Sequence, residues 1–128
     1  MFRFSFPYAP YIAILGDIVG SKKIKDRKAV QEKLSAVLED INQAYGDEIA
    51  SRFMITLGDE FQGLLGTGTH TLEIVEKIER RMHPTGIRFG IGVGGITTDI
   101  NPNLPLGADG PAYYNARKMI DEIKAAEK

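Results

Sequence analysis

Hydrophobic and polar positions alternate along this chain with two different periods, and the switches between them mark out the elements. Residues 11–16 are apolar on both faces, as expected of a covered central strand, and the run ends on one carboxylate, Asp17. Across residues 27–45 the period becomes three and four. Val30, Leu34, Val37, Leu38, Ile41 and Tyr45 form an apolar stripe with charge between them, which predicts a helix. Asp26 is placed to cap its start, and Gly46-Asp47 ends it. Residues 52–57 return to period two, with Phe53, Ile55 and Leu57 opposite Met54 and Thr56. Gly58-Asp59 is a hairpin signal, residues 61–65 make a short third strand, and residues 66–69 are a loop. A second helix is predicted over residues 71–82, with Leu72, Val75, Ile78 and Met82 facing inward and Pro84 and Gly86 stopping it. Residues 87–93 form a fourth strand, with Ile87, Phe89, Ile91 and Val93 on one face and Arg88, Gly90, Gly92 and Gly94 on the other. A proline-bearing loop covers residues 97–107. Asp109-Gly110-Pro111 then opens a third helix whose apolar side is Tyr113, Ala116, Ile120 and Ile123.

The order β-α-β-β-α-β-α predicts an α+β fold of the ferredoxin-like, split βαβ kind, a palm-type sheet with helices packed on one face. In that arrangement the first and third strands are antiparallel neighbours. The end of strand one and the hairpin after strand two then share a rim, which brings Asp17 and Asp59 together. Residues 1–10, aromatic and broken by Pro7 and Pro10, read as a lead-in or an extra edge segment and lack a signal-peptide pattern. Residues 11–128 read as a single domain, and the helical pattern running to Lys128 suggests the N-terminal part of a longer protein.

Composition narrows the function classes. Hydrophobic residues are 43% and charged residues 26% of 128, so a core can form without staples. Cysteine is absent, which removes disulfides and thiolate metal sites and suits a cytoplasmic location. His70 and His83, both read as surface residues, leave no His-rich zinc site. A net charge of −1 argues against a domain held on nucleic acid by charge alone. No apolar run reaches membrane-spanning length, so no membrane partner is expected.

Four constellations carry candidate chemistry. Asp17 and Asp59, with the Ile18 carbonyl, offer hard oxygen ligands for Mg2+ or Mn2+, and Glu60 is a weaker third carboxylate; the plain alternative is that each Asp only shapes a turn. Gly16, Gly20 and Ser21, followed by Lys22, Lys23 and Lys25, suit an anion held by turn amides, though the spacing is not that of a P-loop. Gly90, Gly92 and Gly94, beside Arg88, bare one strand face, either for a base, a ribose or another backbone, or for a tight helix contact. In the last helix Tyr113 reads as core, and Arg117 is either a surface residue or a cation for phosphate across a subunit interface.

These same stretches resemble two known families. Gly16-Asp17-Ile18-Val19-Gly20-Ser21, the segment from Thr56 to Leu64, Arg88-Phe89-Gly90-Ile91-Gly92 and the segment from Gly107 to Arg117 are similar to the pattern of the SatD family of bacterial proteins. That resemblance implies a longer protein with a DNA-binding C-terminal part outside this chain. More distantly, Asp17-Ile18-Val19-Gly20, Gly58-Asp59, Gly90-Ile91-Gly92 and the helix from Gly110 to Arg117 resemble motifs of the palm domain of class III nucleotidyl cyclases and, beyond them, of GGDEF domains. This second resemblance implies a divalent-metal-dependent nucleotide-binding domain: Mg2+ or Mn2+ on Asp17, Asp59 and the Ile18 carbonyl, a nucleoside triphosphate on Gly20, Ser21 and Lys22, Arg117 as catalytic cation, and a homodimer. Glu60 and Arg88 are additional candidates. Four positions depart from the cyclase pattern. Ser21-Lys22 replaces the usual Phe-Thr, Ile55 stands at the base-reading lysine, and, with Arg117 in the arginine position, the expected asparagine falls on Tyr113. The expected chemistry, if any, is nucleotidyl transfer; the alternative is a non-catalytic regulatory or dimerisation domain of a DNA-binding protein.

Overall fold

A computed structural model describes residues 10–96, 100–103 and 110–127. The strands are β1 (Tyr11–Ile18), β2 (Ile49–Leu57), β3 (Glu60–Leu65) and β4 (Ile87–Gly94), and the helices are α1 (Arg27–Ala44), α2 (Thr71–Met82) and α3 (Pro111–Ala126). The sheet order is β2-β3-β1-β4 with every neighbouring pair antiparallel, so β1 and β3 are adjacent as the element order requires. The Asp26 carboxylate accepts the Ala29 N–H at 3.0 Å and caps α1 as expected. Gly58, at φ 52°, takes the left-handed conformation at the first position of the β2–β3 turn, where glycine has no Cβ to clash. Two expected boundaries move. β1 runs on through Ile18, which puts Asp17 inside the ladder, and β2 begins at Ile49.

Pleat alternation divides the apolar residues between two cores. On one face Ile14, Ile18, Phe53, Phe61, Leu65 and Phe89 meet the stripes of α1 and α2. On the other, Ala13, Leu15 and Leu64 meet Ala112, Tyr113, Ala116 and Ile120 of α3. Full burial of side chains such as Phe61 or Ile120 contributes roughly 1.5–3 kcal/mol each. Helices therefore share one face only for α1 and α2, and α3 covers the opposite one. The reason lies in β1 and β4. The odd positions of β1, Ala13 and Leu15, are apolar and need a second cover, and the even positions of β4 are glycines that admit a helix at close range. In α2 the inward stripe is Ile74, Ile78 and Met82, while Leu72, expected inside, is 75% exposed because Ile74 holds the core-facing position.

The glycine stripe of β4 serves this helix contact. A Cβ on Gly92 would stand 2.0 Å from the Ala112 carbonyl oxygen and 2.4 Å from the Ala116 nitrogen, and one on Gly90 would stand 2.1 Å from the Ala116 oxygen. Gly16 and Gly63 are filled differently, by the rings of Phe61 and Phe53 lying across them. The outer edge of β2 is closed by a side chain and by backbone from outside the sheet. Asn42 donates to the Phe53 carbonyl at 2.9 Å and accepts its N–H at 2.7 Å, and the Arg52 N–H reaches the Pro102 carbonyl at 2.8 Å. His70, expected at the surface, is half-buried at the start of α2, with Nδ1 2.6 Å from Glu48 and its ring against Tyr45. The readings placed on residues 1–9, on most of the 97–107 loop and on Asp109 lie outside the described residues.

Candidate functional site

The rim where β1 ends and the β2–β3 hairpin turns is one continuous backbone unit. The Ile18 N–H donates to the Asp59 carbonyl at 3.0 Å, so the stretches carrying Asp17 and Asp59 touch. Next to it the chain turns at Gly20, in the left-handed region at φ 64°, into a single turn of 3-10 helix from Ser21 to Lys23. The side chains of Lys22, Lys23 and Lys25 are exposed there.

The two carboxylates turn to different layers. Asp59 points toward the α1 side: it accepts a short hydrogen bond from the Ser21 hydroxyl and one from Arg27 at 2.7 Å. The Ser21 hydroxyl, aided by the charges of Arg27 and Lys22, holds the Asp59 carboxyl below the usual range. The space enclosed by Ile18, Ser21, Arg27, Gln31 and Asp59 is about 10 Å³, too little for more than one water. Asp17 points toward α3, as its parity with Ala13 and Leu15 dictates. It is buried, and its Oδ2 meets Arg88 at 3.2 Å and Lys124 at 3.1 Å.

Asp17 also sits in a row of charges across the sheet. Its register partners are Glu60 on β3 and Arg88 on β4, so all three project from the same face. From α3, Arg117 makes a two-pronged contact with Glu60 at 2.9 and 3.0 Å, and Glu127 pairs with Arg88. Glu60 keeps the Arg117 guanidinium protonated above its ordinary range, and Arg88 holds the Glu127 carboxyl below its own. Arg117 is thus engaged within its own chain. Tyr113 lies under the sheet with its hydroxyl buried and without a partner among the described residues, and burial pushes that group up to about 12.

Of the residues singled out from sequence, Asp17, Ile18, Gly20, Ser21, Lys22, Asp59 and Glu60 lie at or beside this rim. Arg88 and Arg117 join it through the α3 face. Sequence reasoning missed Arg27, Lys124 and Glu127. Arg117 and Lys124 are seven residues apart and therefore on one side of α3, a signal that becomes usable once α3 is known to cross the rim. Among the described residues, no group of three or more His, Cys, Asp or Glu side chains gathers to hold a metal ion.

The fold is that of the class III nucleotidyl cyclase palm. The catalytic core of a rhodopsin-guanylyl cyclase with converted specificity, solved in complex with ATPαS, aligns at TM-score 0.64 and 19% identity, over 89% of this chain and 72% of that one. The non-canonical dimeric guanylyl cyclase domain of the RhoGC fusion protein from Blastocladiella emersonii aligns at TM-score 0.64 and 20% identity, over 89% and 74%. The guanylate cyclase domain of RhGC from Catenaria anguillulae, in complex with GTP, aligns at 0.62 and 18%, over 89% and 73%. The chain itself belongs to the SatD family, whose model matches residues 11–128. No curated protein matches it. No helix among the described residues is long and apolar enough to cross a membrane.

Proposed function

We propose that this SatD domain binds a nucleoside triphosphate together with Mg2+ or Mn2+ at the rim formed by the end of β1 and the β2–β3 turn. The observation that carries the reading is the hydrogen bond from the Ile18 N–H to the Asp59 carbonyl, which fastens the two Asp-bearing stretches to each other. In chemical type the donors suit a hard divalent ion: two carboxylates, Asp17 and Asp59, and the Ile18 carbonyl, with no thiolate and no imidazole, though Asp59 must turn from Ser21 and Arg27 to meet Asp17. When bound, such an ion neutralises phosphate charge and lowers the pKa of a hydroxyl that it holds. The chain's own contribution is to gather anions. Gly20 opens a turn that admits an anion at the backbone, and Lys22, Lys23 and Lys25 stand exposed around it.

The test is a thermal shift series with ATP, GTP, CTP and UTP, each with Mg2+, Mn2+ or chelator. A ligand at about a hundred times its dissociation constant adds roughly 2.7 kcal/mol, a rise of several degrees for a domain of this size. A rise that needs the ion and is lost in Asp17→Asn supports the reading. A well-folded protein that shifts with no nucleotide overturns it.

One observation favours a regulatory, non-catalytic version. Tyr113, at the position of the expected asparagine, is buried beneath α3, and Arg117 is taken by Glu60. Mass analysis of nucleotide incubated with the protein separates the versions: a cyclic or linked product that Asp59→Asn abolishes excludes the regulatory one.

A further inference from the structure

The carboxylate offered to the ion also anchors the end of α3. Asp17 is 9% exposed at its side chain, and two cations from the chain itself already stand on its Oδ2: Arg88 at 3.2 Å and Lys124 at 3.1 Å. The two differ in freedom. Arg88 is 17% exposed and is held on its other side by Glu127, with Nε 2.9 and 3.0 Å from the two carboxylate oxygens. Lys124 is 42% exposed and carries its charge on a flexible stem, and its only ion pair among the described residues is the one with Asp17.

A divalent ion held by Asp17 would supply the positive charge that the Lys124 ammonium now places on that carboxylate. Two like charges crowded on one carboxylate repel each other, and the less anchored one leaves. We propose that Lys124 is a tethered cation that fills the ion's place at Asp17 while no ion is bound, and that a divalent ion displaces it and loosens the last turns of α3. The first half of α3 stays docked, because Ala112, Tyr113, Ala116 and Ile120 are packed over the β4 glycines and β1. The state of the ion site is thereby transmitted to the turns of α3 around Lys124, with Ile120 packed in the core before them and Glu127 still held by Arg88 after them. Lys124 acts here as a positioning residue that sets ion affinity. The inference rests on the assignment of the ion to Asp17 made above.

The experiment is a Mn2+ titration, followed by electron paramagnetic resonance of the free ion, on the wild type, Lys124→Gln and Asp17→Asn. It is paired with amide hydrogen exchange of α3 with and without Mn2+. Lys124→Gln should bind Mn2+ about threefold more tightly or better, the scale of one partly exposed ion pair released. In the wild type, exchange in residues 121–127 should quicken with Mn2+. In Lys124→Gln it should be quick already and unchanged by the ion. Equal affinity in wild type and Lys124→Gln, with no exchange response, overturns the role of Lys124 and leaves the ion at Asp17 standing. Binding that survives Asp17→Asn unchanged, or no binding to any form, overturns both. The melting temperature of Lys124→Gln, expected near that of the wild type because the side chain is so exposed, separates displacement from simple loss of structure.

Discussion

Replacing Gly92 with alanine tests the packing that puts α3 over the rim. The usual effect of alanine for glycine inside a strand is a gain of roughly 0.5–1 kcal/mol, from reduced freedom of the unfolded chain. Here the sign should reverse. The new Cβ would meet the Ala112 carbonyl oxygen at 2.0 Å and the Ala116 nitrogen at 2.4 Å, whereas ordinary contact begins at 3.4 Å. Both obstacles are helix backbone, so no rotamer change relieves them, and α3 must retreat by roughly 1.4 Å. A gap of 0.5–1 Å already forfeits about a quarter to a half of the dispersion attraction across an interface. Overpacking of this kind costs about 1–3 kcal/mol, and the retreat also stretches the Arg117–Glu60 and Lys124–Asp17 pairs, so the loss should fall near the top of that range. About 3 kcal/mol corresponds to a melting point lower by about 10 °C in a domain of this size. Differential scanning calorimetry measures it, with Gly46→Ala as control. No heavy atom lies within 4 Å of a Cβ at Gly46 and its φ is not positive, so that variant should stay within about 0.5 kcal/mol. A Gly92→Ala protein that melts within about 2 °C of the wild type would refute the packing argument and return the glycine face to a ligand.

Three further outcomes follow from single side chains. Tyr113→Phe should raise stability by roughly 1 kcal/mol, because the hydroxyl is buried without a partner among the described residues. Burial pushes the Tyr113 hydroxyl up to about 12 from 10.0, so the wild type should lose more stability than the variant as pH climbs from 10 toward 12; chemical denaturation across that range checks both. The Asp59 carboxyl is held below 3.8, so its contribution is present above that pH and disappears as pH falls through the depressed value. Ser21→Ala removes the largest cause of the depression, so it should melt below the wild type at neutral pH and the two should converge in acid. Arg117→Ala and Glu60→Gln should destabilise equally and their combination should cost no more than either, with a coupling of at most about 1 kcal/mol after allowance for an Arg side chain that is 41% exposed. A double-mutant cycle with no coupling would show that the pair is not maintained in solution.

Element order and strand adjacency were legible because the periods are clean. Ile14 and Ile18 against Ala13 and Leu15, or Phe89 against Gly90, leave one register in which both faces are covered. The side of the sheet taken by α3 was not legible from the helix alone, since its stripe of Ala112, Tyr113, Ala116 and Ile120 fits either face. It becomes so when the bare face of β4 is matched to the small residues Ala112 and Ala116. The convergence of Asp17 and Asp59 on one rim followed from topology. Their divergence did not, because it is set by Ser21, Arg27, Arg88 and Lys124, which approach from four separate elements. Leu72 shows a simpler limit: the first turn of α2 offers both Leu72 and Ile74, and only the packing against α1 decides between them.

Asp17 and Asp59 differ in how freely each can change direction. The direction of Asp17 is fixed by the pleat. Turning it to the α1 face needs a one-residue slip of β1 that would also carry Ile14 and Ile18 out of the α1–α2 core and onto the α3 face. Asp59 lies in a two-residue turn between Leu57 and Glu60 and is bound by no such constraint; Ser21 and Arg27 hold its side chain toward α1. For both carboxylates to hold the proposed ion, Asp59 would have to cross to Asp17. That move would free the Ser21 hydroxyl and the Arg27 guanidinium beside the Gly20 turn and Lys22, where the proposed function places phosphate. Arg27 is 50% exposed, so its release costs little. If the proposed ion and triphosphate bind in this way, the freed Arg27 would face the triphosphate, and Arg27→Ala should weaken triphosphate binding with Mn2+ present while leaving binding of Mn2+ alone unchanged or stronger. Calorimetric titration of each ligand separately reads both quantities. An Arg27→Ala protein whose triphosphate affinity matches the wild type would mean that Arg27 serves only to hold Asp59.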